Sequence, residues 1–223
     1  MVIERLRSLK NPKNIEGMAR FGISAKNTLG ISIPILRSMA KEIGKDHALA
    51  LSLWRSGIHE ARILSSLMDD PRLVTERQMD DWAGDFDSWD VCDQVCMNLF
   101  SKTPYAIKKA KEWSVREEEF VKRASFALIA GLSLGGSKTT DAELVSFLQI
   151  IESASADERN FVKKAVNWAL RQIGKRNKAL NRKALASARR IQRLDSRSAR
   201  WIANDAIREL ESEAVRRKIA MKS

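Results

Sequence analysis

One tryptophan and one aspartate in this chain have the types and spacing that could support chemistry. Trp89 and Asp93 lie four residues apart in the segment Ser-Trp-Asp-Val-Cys-Asp. On a helix they are neighbours, at one edge of an apolar stripe centred on Val91, Val95 and Leu99. A partly desolvated carboxylate beside an indole suits a cation, including a positive charge that develops during a reaction. The alternative is a buried tryptophan with Asp93 as a surface charge or hydrogen-bond acceptor, and periodicity alone favours that alternative.

A second tryptophan, Trp168, lies on the helix predicted over residues 157–173. It falls off the core stripe of that helix, at the flank facing Lys164 and Arg171. An indole there either packs against a neighbouring helix or lines the floor of a groove, and periodicity does not choose between the two. The core stripe consists of Val162, Val166, Ala169, Leu170 and Ile173.

The sequence shows neither the pattern of a metal site nor that of a catalytic nucleophile. His47 and His59 have no acidic or cysteine partner at metal-ligand spacing, so both are interpreted as incidental and no metal site is expected. Cys92 and Cys96 form a C-x3-C pair on a predicted helix, which favours buried structural thiols in a reducing cytoplasm. Serine, histidine and aspartate do not form a recognisable nucleophile pattern.

Positive charge is concentrated in the C-terminal half. The net charge is +12; residues 1–120 contain 18 Lys/Arg and 18 Asp/Glu, whereas residues 121–223 contain 22 and 10. Fourteen basic residues and one acid, Asp195, lie between Arg159 and Arg200. This favours nucleic acid, bound through its phosphates, over a solvated basic face. A membrane surface is less favoured because Trp168 and Trp201 do not form a broad apolar face.

The elements that must position these residues are predicted to be helices. With Gly 10 and Pro 4, the chain has few of the turn residues that strand architectures need. About a dozen short helices in succession are typical of stacked antiparallel pairs, with a compact non-repeat bundle as the alternative. The longest mostly apolar stretch, residues 124–136, is too short for a membrane span. Helices are predicted over residues 34–43, 48–56, 58–68, 73–82, 89–100, 104–113, 116–134, 141–153, 157–173, 177–194 and 196–210, followed by a short tail.

Three segments together resemble a known family. Residues 88–93 look like the W-D-x-x-D helix of the AlkD-like DNA alkylation-repair glycosylases. Residues 120–126 resemble the segment that carries the family's arginine, and residues 163–175 resemble its second tryptophan helix. The N-terminal residues 18–23, followed by Pro34, Leu36 and Arg37, are also similar. The segments occur in the family's order, and the likeness spans roughly residues 15–195, which makes the joint match more specific than any single motif.

The resemblance implies one right-handed α-solenoid domain over residues 1–223, built from about six antiparallel HEAT-like helix pairs with a concave basic face. It implies a cytoplasmic, nucleoid-associated monomer that needs no cofactor or metal and acts on double-stranded DNA containing alkylated bases. Asp93 would be the catalytic carboxylate, Trp89 and Trp168 would flank the sugar, and Arg123 would hold a backbone phosphate. Further backbone contacts are expected from Lys122, Lys163, Lys164, Arg171, Lys175 and Arg176.

The implied reaction is hydrolysis of the N-glycosidic bond of N3- or N7-alkylated purines. Two other functions stay open at the level of sequence. One is a non-catalytic HEAT-repeat module that binds DNA or RNA structures through the phosphate backbone. The other is a protein–protein scaffold, which predicts an acidic partner and little affinity for DNA.

Overall fold

The computed structural model describes residues 1–221, and all regular secondary structure in that range is helical, which confirms the all-α prediction. Within the same range, no helix is long and apolar enough to cross a membrane. The chain divides into two compact units, Met1–Pro104 and the part from Tyr105 onward. The single domain expected over residues 1–223 stays a prediction, because compactness alone does not distinguish two domains from two parts of one.

The first unit is organised around one buried helix, α5, which contacts α3, α4 and α7. Eight of the ten residues of α5 are buried, so the helices around it share a continuous core. Trp54 and Trp82 lie in the same unit with their rings parallel and their centroids 4.0 Å apart. The helices are α1 (Val2–Ser8), α2 (Pro12–Ala19), α3 (Ile33–Ile43), α4 (His47–Arg55), α5 (His59–Met68), α6 (Glu76–Gly84) and α7 (Trp89–Asn98), followed by a 3-10 turn (Phe100–Lys102).

The second unit has α9 and α11 at its centre. Helix α9 packs against α8 and α11, while α12 packs against α13 and both contact α11. Phe126 and Phe147 are fully buried in this core. The helices are α8 (Ala106–Trp113), α9 (Glu119–Leu132), α10 (Asp141–Ala154), α11 (Asn160–Gly174), α12 (Lys178–Gln192), α13 (Arg197–Leu210) and α14 (Glu213–Ala220).

Side-chain caps explain where the helix boundaries agree with the sequence and where they differ. Asp46 caps α4 as predicted, accepting a hydrogen bond from the Leu49 N–H at 2.9 Å. Helix α6 was expected from Leu73, but it begins three residues later because the Thr75 hydroxyl accepts from the Gln78 N–H and ends the preceding turn. The pattern also missed α1 and α2, which bury few side chains.

Candidate active site and nucleic-acid interface

Helix α7 presents Trp89 and Asp93 at the edge of its buried face. Val91, Cys92 and Val95 are fully buried, which confirms the predicted stripe, and Cys96 is buried with them. Trp89 and Asp93 are both partly exposed. The partial exposure of Trp89 differs from that of a tryptophan enclosed in the core, and the role of Asp93 stays a prediction. The carboxylate lies at a boundary between core and solvent, where its charge is less screened than on an open surface.

The indole of Trp89 is fixed by the chain that follows α2. Its Nε1–H donates to the Phe21 carbonyl oxygen at 3.0 Å. The Phe21 side chain itself is 71% exposed. A second aromatic ring therefore lies in the segment bonded to the candidate catalytic helix. Phe21 lies in the segment 18–23 that resembles the family, but the sequence gives it no role of its own, because an isolated aromatic in a loop has no periodic signal.

His59 ties α5 to the first turn of α7. Its Nε2 lies 2.8 Å from Oδ2 of Asp90, and the Ser88 hydroxyl donates to the other carboxylate oxygen at 2.9 Å. Ser88 holds the predicted N-cap position, but its hydroxyl binds this carboxylate rather than a backbone N–H. The bonds fix the turn on which Trp89 lies, one turn before Asp93.

The pKa shifts of His59 and Asp90 both favour the ionised forms of the pair. Burial disfavours protonated His59, but its bond to Asp90 and the nearby acidic groups outweigh burial and raise its pKa. Burial likewise opposes ionisation of Asp90, yet His59, Ser88 and the Val91 N–H lower its pKa. The interpretation of both histidines as incidental is therefore wrong: His47 Nδ1 also binds a buried carboxylate, Asp69, at 2.6 Å. Both partners are distant in sequence, so local spacing could not reveal them.

The neighbouring residue, Glu60, orders the N-terminal loop. Its fully buried carboxylate accepts hydrogen bonds from the backbone N–H groups of Leu29, Gly30 and Ile31 at 2.8, 2.6 and 3.2 Å. Gly30 has φ +75°, and a Cβ there would lie 2.3 Å from the Asn11 carbonyl oxygen. Only glycine fits this close backbone approach. Glu60 and His59 thus position the loop and α7 from one end of α5.

In the second unit, Arg123 is anchored rather than exposed. The residue is 6% exposed on α9, and its Nη1 donates to the Phe161 carbonyl oxygen at 2.6 Å. A guanidinium carries five N–H donors in a fixed fork, and this bond uses one of them. Because α9 and α11 pack together, the bond sets the direction of the guanidinium.

Lys122 is engaged by an acidic residue at the entrance to α11. Its Nζ lies 3.1 Å from Asp157, which also pairs with Arg159. Burial disfavours the carboxylate, but Arg159 and Lys122 lower the pKa of Asp157 to about 2. The ion pairs hold Asp157 outside the helix, which explains why α11 begins at Asn160 rather than at the predicted residue 157.

Helix α11 carries Trp168 and two lysines. The predicted core stripe of this helix is fully buried, while Trp168 is partly exposed and Lys164 is exposed. Within residues 1–221, Lys164 forms no ion pair and no hydrogen bond through its ammonium. The Nζ of Lys163 lies 5.5 Å from the ring centroid of Trp201 on α13. Both ammonium groups lie at the surface, where a phosphate can reach them.

The remaining predicted backbone contacts have partners within the fold. Arg171 and Lys175 both pair with Glu209, at 2.5 and 2.8 Å. Burial opposes ionisation of Glu209, but these two cations outweigh it and lower its pKa. The Arg176 guanidinium donates to three carbonyl oxygens, including that of Leu134 at 2.6 Å, and closes the loop after α9. Among the described residues, no group of three or more histidine, cysteine or acidic side chains has the arrangement of a metal site.

A comparison with family models matches residues 2–210 to the family described as DNA alkylation repair enzyme. The chain belongs to this family. A solved protein from a family described as related to the HEAT-like repeat DNA glycosylases, with affinity for branched DNA structures, has a similar fold. The TM-score is 0.76 at 18% sequence identity, over 93% of each chain. A comparison with curated proteins gave no significant match.

Proposed function

We propose that this member of the DNA alkylation repair enzyme family is a DNA glycosylase that hydrolyses the N-glycosidic bond of cationic N3- or N7-alkylated purines in duplex DNA. The observation that carries the proposal is the pairing on α7 of a partly exposed carboxylate, Asp93, with a partly exposed indole, Trp89, four residues away. The His59–Asp90 pair and the Phe21 carbonyl hold that turn in place.

An alkylated purine of this class already carries a positive charge, so it leaves without a general acid. As the C1′–N bond breaks, its electron pair neutralises the base and positive charge moves onto the deoxyribose. The Asp93 carboxylate stabilises this oxocarbenium-like sugar and orients a water molecule, which adds to C1′ and loses a proton. The face of Trp89 favours the same cation. For Trp168, a flanking role is what the family resemblance implies.

The basic residues bind the DNA backbone in this proposal. Arg123 is proposed to hold a phosphate through charge-assisted hydrogen bonds, with the direction of its guanidinium set by the bond to the Phe161 carbonyl. Lys163 and Lys164 bind phosphates at the surface of α11. The charges of Lys122, Arg171 and Lys175 are offset by acidic partners, so they contribute less to backbone binding. Arg176 shapes the loop after α9.

The test is release of 3-methyladenine or 7-methylguanine from methylated duplex DNA by the purified protein. Asp93→Asn keeps the shape of the side chain and removes its charge, so it should lose most of the release while binding DNA as well as or better than the wild type. Asp81→Asn is the matched control, because Asp81 is an exposed carboxylate of the same unit that, among the described residues, pairs with Arg77 on its own helix. Absence of base release by the wild type on both lesions would remove the proposal.

The second candidate is a DNA-binding protein without glycosylase activity. It is favoured by the structural similarity to a protein of a family with affinity for branched DNA structures. This candidate predicts tight binding that falls steeply with salt and no base release from any alkylated duplex. Its distinguishing result is that the wild type releases no base, while Asp93→Asn leaves DNA binding unchanged or improves it.

A further inference from the structure

Three of the six tryptophans of this chain are not buried. Trp54, Trp82 and Trp113 are enclosed in the cores of their units. Trp89 and Trp168 are the candidate site residues. The third is Trp201 on α13, which is 43% exposed and has no role in the proposed reaction.

Charged side chains surround Trp201. The ammonium group of Lys163 lies 5.5 Å from the ring centroid, within the range of a cation–π interaction. Arg197, one turn earlier on α13, lies on the same side of the helix as Trp201 and is exposed. In the described part of the chain, Arg197 forms no ion pair. The indole is therefore bordered by cations on two helices.

The two acidic residues that follow Trp201 on α13 at one-turn spacing are paired with cations. Asp205, one turn after Trp201, accepts a hydrogen bond from Asn167 at 2.7 Å and pairs with Arg171 and Arg208. Glu209, one turn further, is held by cations of α11. The surface around Trp201 thus carries the positive charge of Lys163 and Arg197, while Asp205 and Glu209 are paired with other cations. Its charge is complementary to a polyanion.

We propose that Trp201 stacks on an unpaired nucleobase of DNA, while Lys163 and Arg197 bind the phosphates on either side of that nucleotide. This inference rests on the DNA binding of the proposed function and specifies the DNA structure preferred beyond the lesion. Contacts with phosphates alone would leave the exposed indole of Trp201 without a function. In an intact duplex, the faces of the bases are covered by their neighbours. A base face becomes available in a single strand or at a junction, and stacking of such bases on aromatic side chains is tolerant of sequence.

The experiment compares three DNA molecules: a short duplex, the same duplex with a single-stranded thymidine tail, and the same duplex with an abasic tail of equal length. The two tails carry the same phosphates, and only one carries bases. The wild type should bind the thymidine tail about fivefold or more tightly than the abasic tail. Trp201→Ala should lose most of that difference, and Trp201→Phe should keep part of it. Both variants should bind the untailed duplex like the wild type.

Two further variants separate the aromatic contribution from the charge. Lys163→Ala should weaken binding to both tails and reduce the slope of log affinity against log salt by about one. Val115→Ala removes another exposed apolar side chain of the second unit, 77% exposed, and should change nothing. Equal affinity of the wild type for the two tails, or a full base preference in Trp201→Ala, would overturn the inference.

The outcomes for this inference and for the proposed function are read separately. Base release is measured on the untailed alkylated duplex, and tail preference is measured on DNA without a lesion. Base release without a tail preference overturns only the role of Trp201. A tail preference without base release overturns only the glycosylase activity.

Discussion

Removing His59 should loosen the turn that carries Trp89. The His59 and Asp90 side chains are only 5% and 16% exposed and lie 2.8 Å apart. Removing one partner of a buried ion pair typically costs about 3–5 kcal/mol because the other charge loses its compensation. In His59→Ala, Asp90 keeps its bonds from Ser88 and the Val91 N–H, so we expect the lower end, about 3 kcal/mol. For a chain of this size, that lowers Tm by about 6–12 °C.

The same pair makes stability depend on pH with a defined sign. Folding raises the pKa of His59 above its ordinary value of 6.5, so its contribution is complete below that pH and is lost as pH rises through the folded pKa. Folding lowers the pKa of Asp90 below 3.8, so its contribution is present above that pH and is lost as pH falls through the folded pKa. The pair therefore stabilises the protein fully between about pH 4 and 6.5.

Denaturant unfolding at a series of pH values tests this reasoning. The loss of stability between about pH 6 and 8 should shrink in Asp90→Asn, because the main group that raises the pKa of His59 is then uncharged. Glu42→Gln is the control, since its ion pair with Arg5 is exposed and should matter little. The reasoning is refuted if His59→Ala costs less than about 1 kcal/mol and the wild type and Asp90→Asn show the same pH slope.

Three other changes have expected outcomes. Gly30→Ala should destabilise the protein by about 1–3 kcal/mol in thermal unfolding, because the new Cβ would lie 2.3 Å from a backbone carbonyl oxygen and the residue has a positive φ. An unchanged Tm would contradict this loop geometry. Lys164→Ala should reduce the slope of log DNA affinity against log salt by about one, whereas Lys183→Ala, on the exposed side of α12, should leave it unchanged. Equal slopes in the wild type and both variants would mean that the DNA binds elsewhere. Phe21→Ala should weaken DNA binding or base release, while Leu73→Ala, which removes another exposed side chain, should leave both unchanged. If Phe21→Ala changes neither DNA binding nor base release, the loop has only a structural role.

The helices and the faces they bury were largely predictable from periodicity. The stripe on α7 and the stripe on α11 are both buried as expected, because an amphipathic helix in a core leaves little choice of face. Boundaries were less predictable where a side chain redirects the backbone, as Thr75 does before α6. The two N-terminal helices escaped prediction because they are short and bury little apolar surface.

The supporting groups of the candidate site could not be read from the sequence. His59 binds Asp90, and Glu60 binds the loop around Gly30. Each of these contacts joins residues about thirty positions apart. Local spacing carries no record of such contacts, which arise only when helices pack. Likewise, Arg171 and Lys175 are of the residue types that bind phosphates, yet Glu209 on another helix pairs with both. The type and spacing of Trp89 and Asp93 were visible because both lie on one helix.

The most direct test of the central claim is a single-turnover measurement of base release from duplex DNA containing 7-methylguanine. The wild type should release the base, and Asp93→Asn should do so about 100- to 1,000-fold more slowly while binding the same DNA with no loss of affinity. Equal rates for the wild type and Asp93→Asn would contradict the account, because the carboxylate of α7 would then have no part in the chemistry.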